Sequence, residues 1–407
     1  MKIVWLSHLV PYPPAGGALQ RAHYLLRHAA GRHEVHLLAL HQPRLLSVAD
    51  LPQAVDELSR FCASVCVLSI PAEQSQWRHV LASARSVVSG ESFDVCWLRS
   101  PALTAALVPW RAAHDVDLVH CDTIGLWPAV ANWPRAAIVL GHHNVESDLM
   151  AQRAVLAGRG ARAMLIRRDA VKLRRLERTA SPRVAMNVTV SGLDSHRLRA
   201  VAPRARIVVV ENGVDTGFMR ASGVQGEGIV FAGTLGWFPN RDAIDFLLSD
   251  IWPILRRSNP SRRLLLVGRD PPPSALTAGA DVEVTGAVID VRPWLDSAQI
   301  FVCPLRIGGG TRLKVLDALA MSKPVVSTAL GVEGLGLTEG MHYLGAETAA
   351  QFAAQIERLE ADTALRTRLA VAGRRVVELH HEWQVVGRQL DEAYALATGQ
   401  VRNEVMA

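Results

Sequence analysis

Residues 300–317, IFVCPLRIGGGTRLKVLD, join a short apolar run, a glycine-rich loop and the beginning of an amphipathic segment. A continuous apolar run of this length is typical of a strand that is buried on both faces of a parallel sheet. After the loop, Leu313, Leu316 and Leu319 recur at helical spacing, which predicts a helix with one buried face. The stretch therefore predicts a strand, a loop and a helix, the unit from which α/β folds are built.

The same unit repeats along the chain, because helical segments such as 18–30 and 241–257 alternate with short apolar runs. The predicted strands are 2–6, 35–40, 65–69, 94–97, 117–120, 137–140 and 186–190 in a first group, and 207–210, 229–232, 264–267, 282–284, 300–303 and 324–327 in a second. A glycine-rich linker candidate, 222–228, lies near the break between them. The pattern predicts two doubly wound α/β domains with a cleft between the carboxyl ends of their strands.

Composition excludes several classes of protein. The 407 residues are 49% hydrophobic and 20% charged, which is typical of two or three globular domains. No apolar run reaches the length of a membrane-spanning helix, and the first residues read as a strand rather than a signal peptide. Five scattered cysteines without a C-x-x-C motif predict a reducing cytoplasm. The net charge of +6 favours anionic small molecules or an anionic membrane surface, since the sequence carries no nucleic-acid-binding motif.

The loop Gly308–Gly309–Gly310 has the features of an anion site. We expect Thr311 to be the N-cap of the following helix, and Arg312 and Lys314 to add two cations. Free N–H groups at a helix start, together with these charges, suit a phosphate or diphosphate. The alternative is a loop whose Arg and Lys are merely solvated. An earlier loop, 11–17, ends in Gly16 and Gly17 before a predicted helix and has the same two interpretations.

A second candidate site follows the predicted strand 137–140. His143 could act on an acceptor hydroxyl, with Asn144 and Glu146 beside it, or it could be a structural hydrogen-bonding residue. Two adjacent histidines suggest a metal, but no other ligands stand at a recognised spacing, so we expect none. The next segment, 147–183, carries ten basic residues against three acidic ones. It predicts a solvated face or a surface that contacts anionic lipid.

Taken together, these segments resemble the glycosyltransferases of family 4, which have the GT-B fold. The resemblance is carried by PYPPAGG, HHNVES, VVVENGVD, FAGTLGWFPNRDAIDFLLSDIWP, LLLVGRDPPP, VTGAVIDVRPWLDSAQIFVCPLRIGGGTRLKVLDALAMSKPVVST and GVEGL, in this order. It implies an acceptor-side Rossmann-like domain over 1–205, a nucleotide-sugar-binding domain over 206–383, and a last helix within 384–407 that crosses back to the first domain. The branch it resembles most builds bacterial exopolysaccharides or envelope glycans.

The resemblance also assigns residues, with two departures. The family's second acid, which binds the nucleoside ribose, aligns with Asp317, but the position of the first acid is Gly309. The family's Arg and Lys of the 233–241 loop are replaced, the Arg by Thr234 and the Lys by Pro239 or Asn240. We therefore expect Arg312 and Lys314 to supply the missing positive charge, with Arg241 as a second candidate. The expected donor-binding residues are Gly16, Gly17, Gly233, Thr234, Gly309, Gly310, Thr311 and Asp317, and the expected catalytic residues are His143, Arg312 and Lys314.

The activity implied is a metal-independent, retaining transfer of a hexosyl-type sugar from a nucleotide-diphosphate sugar, without a cofactor. The implied acceptor is a glycan or a polyprenyl-diphosphate-linked glycan, and nucleic acid is not expected as a partner. The implied location is the cytoplasm, with peripheral contact at the inner membrane. Two alternatives remain. One is a nucleotide-sugar epimerase of similar fold, although paired acids and bases cannot be assembled from these loops. The other is a non-catalytic glycan- or lipid-binding partner, which the missing first acid leaves open.

Overall fold

The computed structural model describes residues 1–14, 16–223 and 226–399 and divides into two compact units. Unit 1 comprises Met1–Glu211 and the described residues from Val386 on, and unit 2 comprises Asn212–Val385. The domain boundaries expected from the sequence lay at 205/206 and 383/384. Ala15 in the first glycine loop, residues 224–225 in the linker candidate and residues 400–407 of the tail lie outside the described residues.

Unit 1 is built on a parallel sheet of seven strands in the order β3-β2-β1-β4-β5-β6-β7. Its strands are β1 Lys2–Ser7, β2 Glu34–His41, β3 Ser64–Ser69, β4 Leu118–Cys121, β5 Ala137–His142, β6 Met186–Thr189 and β7 Ile207–Val209. We expected the run 207–210 to open the second domain, but β7 pairs with β6. An apolar run indicates a strand but carries no information about the sheet it joins, because pairing is a tertiary contact.

Unit 2 is built on a parallel sheet of six strands in the order β10-β9-β8-β11-β12-β13. Its strands are β8 Ile229–Ala232, β9 Leu264–Val267, β10 Val282–Gly286, β11 Ile300–Cys303, β12 Val325–Ser327 and β13 Leu344–Gly345. In both sheets the strand order reverses once, between β1 and β4 and between β8 and β11. This is the doubly wound topology that the sequence predicted.

Helices cover both sheets. They are α1 Gly17–Ala30, α2 Leu51–Ser59, α3 Gln76–Val88, α4 Phe93–Leu98, α5 Pro101–Ala113, α6 Trp127–Val130, α7 Glu146–Leu156, α8 Ala161–Ala180, α9 Gly192–Val201, α10 Phe238–Phe246, α11 Trp252–Ser258, α12 Pro273–Leu276, α13 Arg292–Ser297, α14 Leu313–Ala320, α15 Ala349–Ala361, α16 Thr363–His380 and α17 Trp383–Thr398, with a π-helical turn at Leu247–Ile251 and short 3₁₀ turns elsewhere. The predicted strand 94–97 is wrong: it is α4, since so short an apolar run does not distinguish strand from helix. Among the described residues, no helix is long and apolar enough to cross a bilayer.

The last helix, α17, packs within unit 1 as expected. Asp391 accepts a hydrogen bond from His28 of α1 at 3.0 Å, and the Tyr394 hydroxyl lies 2.9 Å from Nδ1 of His120 on β4. Val386, Leu390 and Tyr394 are buried, so the helix packs through an apolar face. The expectation that the chain returns to its first domain is confirmed.

The ends of β8 and β9 approach so closely that the backbone requires glycine. Gly268 has a φ of +143°, and a Cβ built on it would lie 1.7 Å from the carbonyl oxygen of Gly233. The Gly233 N–H in turn donates to the carbonyl of Val267 at 2.9 Å. This contact holds the Gly233 loop at the carboxyl end of the sheet.

We predict that Gly268→Ala lowers the free energy of unfolding by about 3 kcal/mol, because the methyl group adds a backbone clash to a disfavoured φ. Urea unfolding followed by circular dichroism measures the change. Gly90→Ala is the matched control, since nothing lies within 4 Å of a Cβ there. Equal stability of the two variants would contradict the prediction.

Candidate active site

Three polar side chains meet where the strand order of unit 1 reverses. His8 follows β1, Asp122 follows β4 and His143 follows β5, and these three strands are neighbours in the sheet. The carboxyl ends of parallel strands lie at one edge of the sheet, so residues distant in sequence come together there. The His8 and His143 rings are 5.4 Å apart between centroids. Asp122 and His143 also line a small pocket with Arg21 and His120.

Asp122 is held by a set of donors. Its carboxylate accepts from Ser7 Oγ at 2.9 Å, from the His8 backbone N–H at 3.1 Å, and lies 3.0 Å from Nδ1 of His8. The backbone of β5 passes close by, since a Cβ on Gly141 would lie 2.9 Å from the Asp122 carbonyl oxygen. The glycine of the GHHN segment thus allows β5 to bring His143 up to this carboxylate.

The electrostatics of the three residues differ. Burial by itself lowers the pKa of His8, but the charge of Asp122 outweighs it, and the net pKa is raised. Burial raises the pKa of Asp122, but His8 outweighs that effect and the net pKa is lowered. His8 and Asp122 therefore form an ion pair. Burial and, to a smaller extent, the charge of the neighbouring His8 together lower the pKa of His143 to about 3, so His143 is neutral at physiological pH.

The neighbours of His143 have different roles. His142 is buried, lies 3.0 Å from the Asn187 amide oxygen of β6, and has a pKa lowered to about 4 by burial. Asn144 donates to Glu146 at 3.3 Å, at the start of α7. Burial raises the pKa of Glu146, and the nearby carboxyl of Asp94 raises it further. His142 is thus held within the sheet as the last residue of β5. His143, Asn144 and Glu146 come after the end of that strand.

Sequence reasoning found His143 but missed His8, Asp122 and Arg21. Arg21 lies on α1, one turn after Gly17, and donates to the carbonyls of Val210 and Glu211 at 2.9 and 2.7 Å. Burial lowers its pKa to about 9. A signal for the first two was available, since each is a polar residue two positions after the end of a predicted strand. Without the strand order, nothing distinguished them from other loop residues.

The same cluster contains potential metal ligands. One ligand atom from each of His8, Asp122 and His143 lies within 4.8 Å of the other two. A divalent cation could bind three such ligands, but here His8 and Asp122 are already paired with each other. The expectation that the protein needs no metal considered only the adjacent His142 and His143, and it stays a prediction.

In unit 2, Lys314 occupies the corresponding edge of the sheet. Its Nζ donates to the side-chain oxygen of Asn240 and lies 4.3 Å from the centre of the Phe231 ring. A Cβ on Gly233 would lie 3.1 Å from this nitrogen. Burial lowers the pKa of Lys314 to about 8. The structure therefore brings Lys314 to Gly233, in the loop after β8, and to Asn240, in the first turn of α10.

Arg312 and Thr311 are placed differently from what the sequence suggested. Arg312 is buried, and its Nη1 donates to the carbonyls of Gly309 and Gly310, so it holds the glycine loop together. Thr311 is not the N-cap, because α14 begins at Leu313 with Arg312 as the capping position. The Thr311 hydroxyl instead accepts from the side chain of Asn212. The loop bends back on itself, and this conformation is not apparent from residue preferences.

The other expected donor-binding residues are distributed over two units. Asp317 is half-buried and lies one turn after Lys314 on α14. Thr234 accepts from Asn240 through its carbonyl at 2.7 Å. Gly16 precedes α1, which begins at Gly17, in unit 1. Their binding roles stay predictions.

We predict that Asp122→Asn lowers the pKa of His8 below the usual 6.5 of a histidine, because burial, the largest effect on the ring, is then opposed only by the smaller effect of the Asp94 charge. The ion pair stabilises the fold above the usual pKa of an aspartate, 3.8, and below the usual pKa of a histidine, 6.5. Its contribution is lost as pH falls through the lowered pKa of Asp122 or rises through the raised pKa of His8. Side-chain NMR titration, with His8→Gln to assign the signal, measures the change. Asp391→Asn, which removes the partner of His28, should leave the His8 titration unchanged.

Solved structures share this fold at low sequence identity. Sucrose-phosphate synthase from Thermosynechococcus elongatus aligns over 100% of this chain and 99% of its own, with a TM-score of 0.67 and 17% identity. HepE from Anabaena, in complex with UDP-glucose, aligns over 96% and 98%, with a TM-score of 0.64 and 14% identity. WaaG, a glycosyltransferase involved in lipopolysaccharide biosynthesis, aligns over 98% and 100%, with a TM-score of 0.62 and 14% identity.

Family models give the assignment. No curated protein sequence matches the chain. The model described as glycosyl transferases group 1 matches residues 226–362. The model described as Glycosyltransferase Family 4 matches residues 15–218, about half of the chain. The two models thus cover most of both units, and the chain belongs to glycosyltransferase family 4.

Proposed function

We propose that this glycosyltransferase moves a sugar, with retention of configuration, from a nucleotide-diphosphate sugar to a glycan or polyprenyl-diphosphate-linked acceptor. We place the reaction in bacterial polysaccharide biosynthesis, at the cytoplasmic face of the inner membrane. The observation that carries the proposal is the position of Lys314. Its ammonium group contacts Asn240, one of the two residues that stand where the family has a lysine. On this basis we assign to Lys314 of α14 the role of the cation that the family has at the position of Pro239 or Asn240.

Lys314 suits the diphosphate of a donor. It is a largely desolvated cation, with a pKa lowered to about 8 by burial, so it attracts an anion more strongly than a solvated lysine would. Gly233 beside it lets the ammonium group come close to the backbone, because a Cβ there would lie only 3.1 Å from Lys314 Nζ. Asp317, on the same face of α14, is the proposed partner of the ribose hydroxyls. HepE binds UDP-glucose and WaaG acts in lipopolysaccharide synthesis, which supports this class of donor and product.

The leaving diphosphate develops negative charge as the bond to the sugar breaks. Lys314 and the glycine loop ahead of α14 would stabilise that charge without a metal ion. We assign Arg312 an indirect part, since its contacts with Gly309 and Gly310 fix the loop. No cofactor takes part in this proposal.

His143 is the proposed contact with the reacting sugar or the acceptor. Its Nε2 is buried and makes no hydrogen bond within the described part of the chain. Because the ring stays neutral, it can exchange a hydrogen bond with a hydroxyl without bringing a charge into the site. His8 and Asp122 hold the adjacent loop in place, and Asn144 and Glu146 are the proposed acceptor-side residues. The departing diphosphate can take the acceptor proton, so no strong general base is required.

We predict that Lys314→Met weakens the binding of UDP, or of the nucleoside diphosphate that binds best, by about 10-fold to 100-fold at pH 7, the usual loss for one charged contact. In the wild type, affinity should fall as pH rises above about 8, because Lys314 loses its proton. The variant should lack this pH dependence. Isothermal titration calorimetry measures both effects.

Arg306→Gln is the matched control for Lys314, because Arg306 is an exposed cation of the same unit that pairs with Asp242. It should bind the nucleotide as the wild type does. A Lys314→Met variant with wild-type affinity at every pH would contradict the role of Lys314.

The reaction itself is tested by incubating the protein with UDP-glucose, and then with GDP, ADP and dTDP sugars, with and without a polyprenyl-diphosphate glycan. We expect donor cleavage, a product that keeps the donor's anomeric configuration by NMR, and no loss of rate with EDTA. His143→Ala should lower turnover about 100-fold while nucleoside diphosphate affinity stays unchanged. His380→Ala, at an exposed histidine of unit 2, is the control.

The possible outcomes separate the alternatives. An epimerised free nucleotide sugar would indicate the epimerase, and binding without donor cleavage would indicate the non-catalytic partner. An inverted product would overturn the retaining mechanism. If EDTA abolishes the reaction and a divalent cation restores it, the metal-independent mechanism is overturned. His8, Asp122 and His143 would then be the candidate metal ligands.

A further inference from the structure

Helix α3 of unit 1 presents its apolar side to solvent. Trp77, Val80 and Val88 are exposed by 60%, 63% and 86%, and Leu81 and Val87 are exposed as well. The residues that face the protein are small or polar, with Ala82 and Ser86 buried. A helix at the surface of a globular domain normally has the opposite arrangement. Contiguous exposed apolar groups of this kind indicate an interaction surface.

The polar residues around this apolar side are basic. The sequence of α3 contains Arg78, His79 and Arg85 and no acidic residue. The Arg78 guanidinium lies over the Trp77 ring, 5.5 Å from its centre. Arginine can extend a charged head beyond an apolar surface while its stem covers that surface. The helix therefore combines exposed apolar side chains with positive charge alone.

The hairpin formed by α7 and α8 has the same character. Its exposed apolar residues are Val155, Leu156, Met164, Leu165 and Val171. Its exposed basic residues are Arg159, Arg162, Arg167, Arg168, Arg174, Arg175 and Arg178. The two acids of α8 do not offset this charge at the surface, since Glu177 is fully buried and Asp169 is half-buried and accepts from the Phe93 backbone. The outward side of α8 is thus cationic.

The two features adjoin. Lys172 of α8 donates a hydrogen bond to the carbonyl of Ser86 on α3. Val87 and Val88 follow Ser86 directly, and Val171 precedes Lys172, so exposed apolar groups lie on both sides of this contact. We name the exposed residues of α3 and of the α7–α8 hairpin the apolar–basic surface.

We propose that the apolar–basic surface docks unit 1 on a bilayer with anionic headgroups. Charge complementarity selects this occupant, because the basic side chains are spread along two helices and interspersed with apolar groups that can enter the interfacial layer. A folded protein partner would instead be expected to meet an apolar centre with a polar rim. This inference rests on the proposed function, because docking on a membrane would give the enzyme access to a lipid-linked acceptor.

The test is co-sedimentation of the full chain with vesicles of phosphatidylcholine alone and of phosphatidylcholine containing about 30% phosphatidylglycerol. We expect at least about tenfold stronger binding to the anionic vesicles, and weaker binding as salt is raised. Trp77→Ser/Leu81→Ser/Val88→Ser should weaken the binding about tenfold or more, because each substitution removes an exposed apolar group. Arg174→Gln/Arg175→Gln should weaken binding to anionic vesicles only.

Matched controls come from unit 2. Val371 and Leu379 are exposed apolar residues of α16, and Arg257 and Arg375 are exposed arginines. Val371→Ser/Leu379→Ser and Arg257→Gln/Arg375→Gln should bind vesicles as the wild type does. The α3 residues are exposed, so the triple variant should keep the wild-type thermal unfolding transition. If that transition is lost, the arginine variant and the salt dependence decide the question.

The proposal is overturned if the wild type does not bind anionic vesicles, or if the α3 and α8 variants bind like the controls. It is also overturned if the surface is an interface between copies, which would appear as a dimer that the triple variant dissociates in the absence of lipid. Nucleoside diphosphate binding is measured on the same variants and should be unchanged. If the protein binds nucleotide but not vesicles, only the docking surface is refuted. If it binds vesicles but not nucleotide, only the proposed reaction is refuted.

Discussion

Parallel strands end side by side, and at the point where the order of a doubly wound sheet reverses, the loops that follow two neighbouring strands turn in opposite directions. This leaves a gap that is lined by backbone and side chains, and the gap forms whatever residues line it. In unit 1 this point lies between β1 and β4, and in unit 2 between β8 and β11. His8 and Asp122 meet at the first, and Gly233 lies at the second. The candidate site residues of each unit therefore depend on strand order.

The two units place charge in these positions in different ways. In unit 1 the carboxylate of Asp122 is neutralised by His8 and held by three donors, so the cluster is oriented and carries little net charge. In unit 2, Lys314 is held by a neutral amide and an aromatic ring, so its charge is not compensated by those contacts. The first arrangement suits the ordering of hydroxyl groups, and the second suits the attraction of a polyanion. This difference is the reason that we propose unit 1 for the acceptor and unit 2 for the donor.

In the function we propose, the cation of unit 2 meets the same chemical requirement as the family's basic residues, but from a different element of the chain. At the two positions where the family resemblance implies Arg and Lys, the 233–241 segment has uncharged residues, and the first acid of the motif is a glycine. Lys314 comes from α14 yet reaches Asn240, because the loops that follow β8 and β11 emerge at the same edge of the sheet. Arg312, two residues earlier, turns back into its own loop. Neighbouring cations in the sequence thus have separate roles.

By itself, the sequence determined the α/β class, nearly all of the strands, the return of the last helix and the interest of the HHN and GGG loops. The class, the strands and the loops follow from periodicity and short motifs, which are local, whereas the return of the last helix was implied by the family resemblance. The tertiary structure decided that 94–97 is helical, that 207–209 completes the first sheet, and that His8 and Asp122 join His143. It also decided that the apolar side of α3 faces solvent, because periodicity identifies an apolar face but not what that face contacts. Each of these depends on which elements lie next to one another, and that contact between distant segments is not encoded in any single window of the chain.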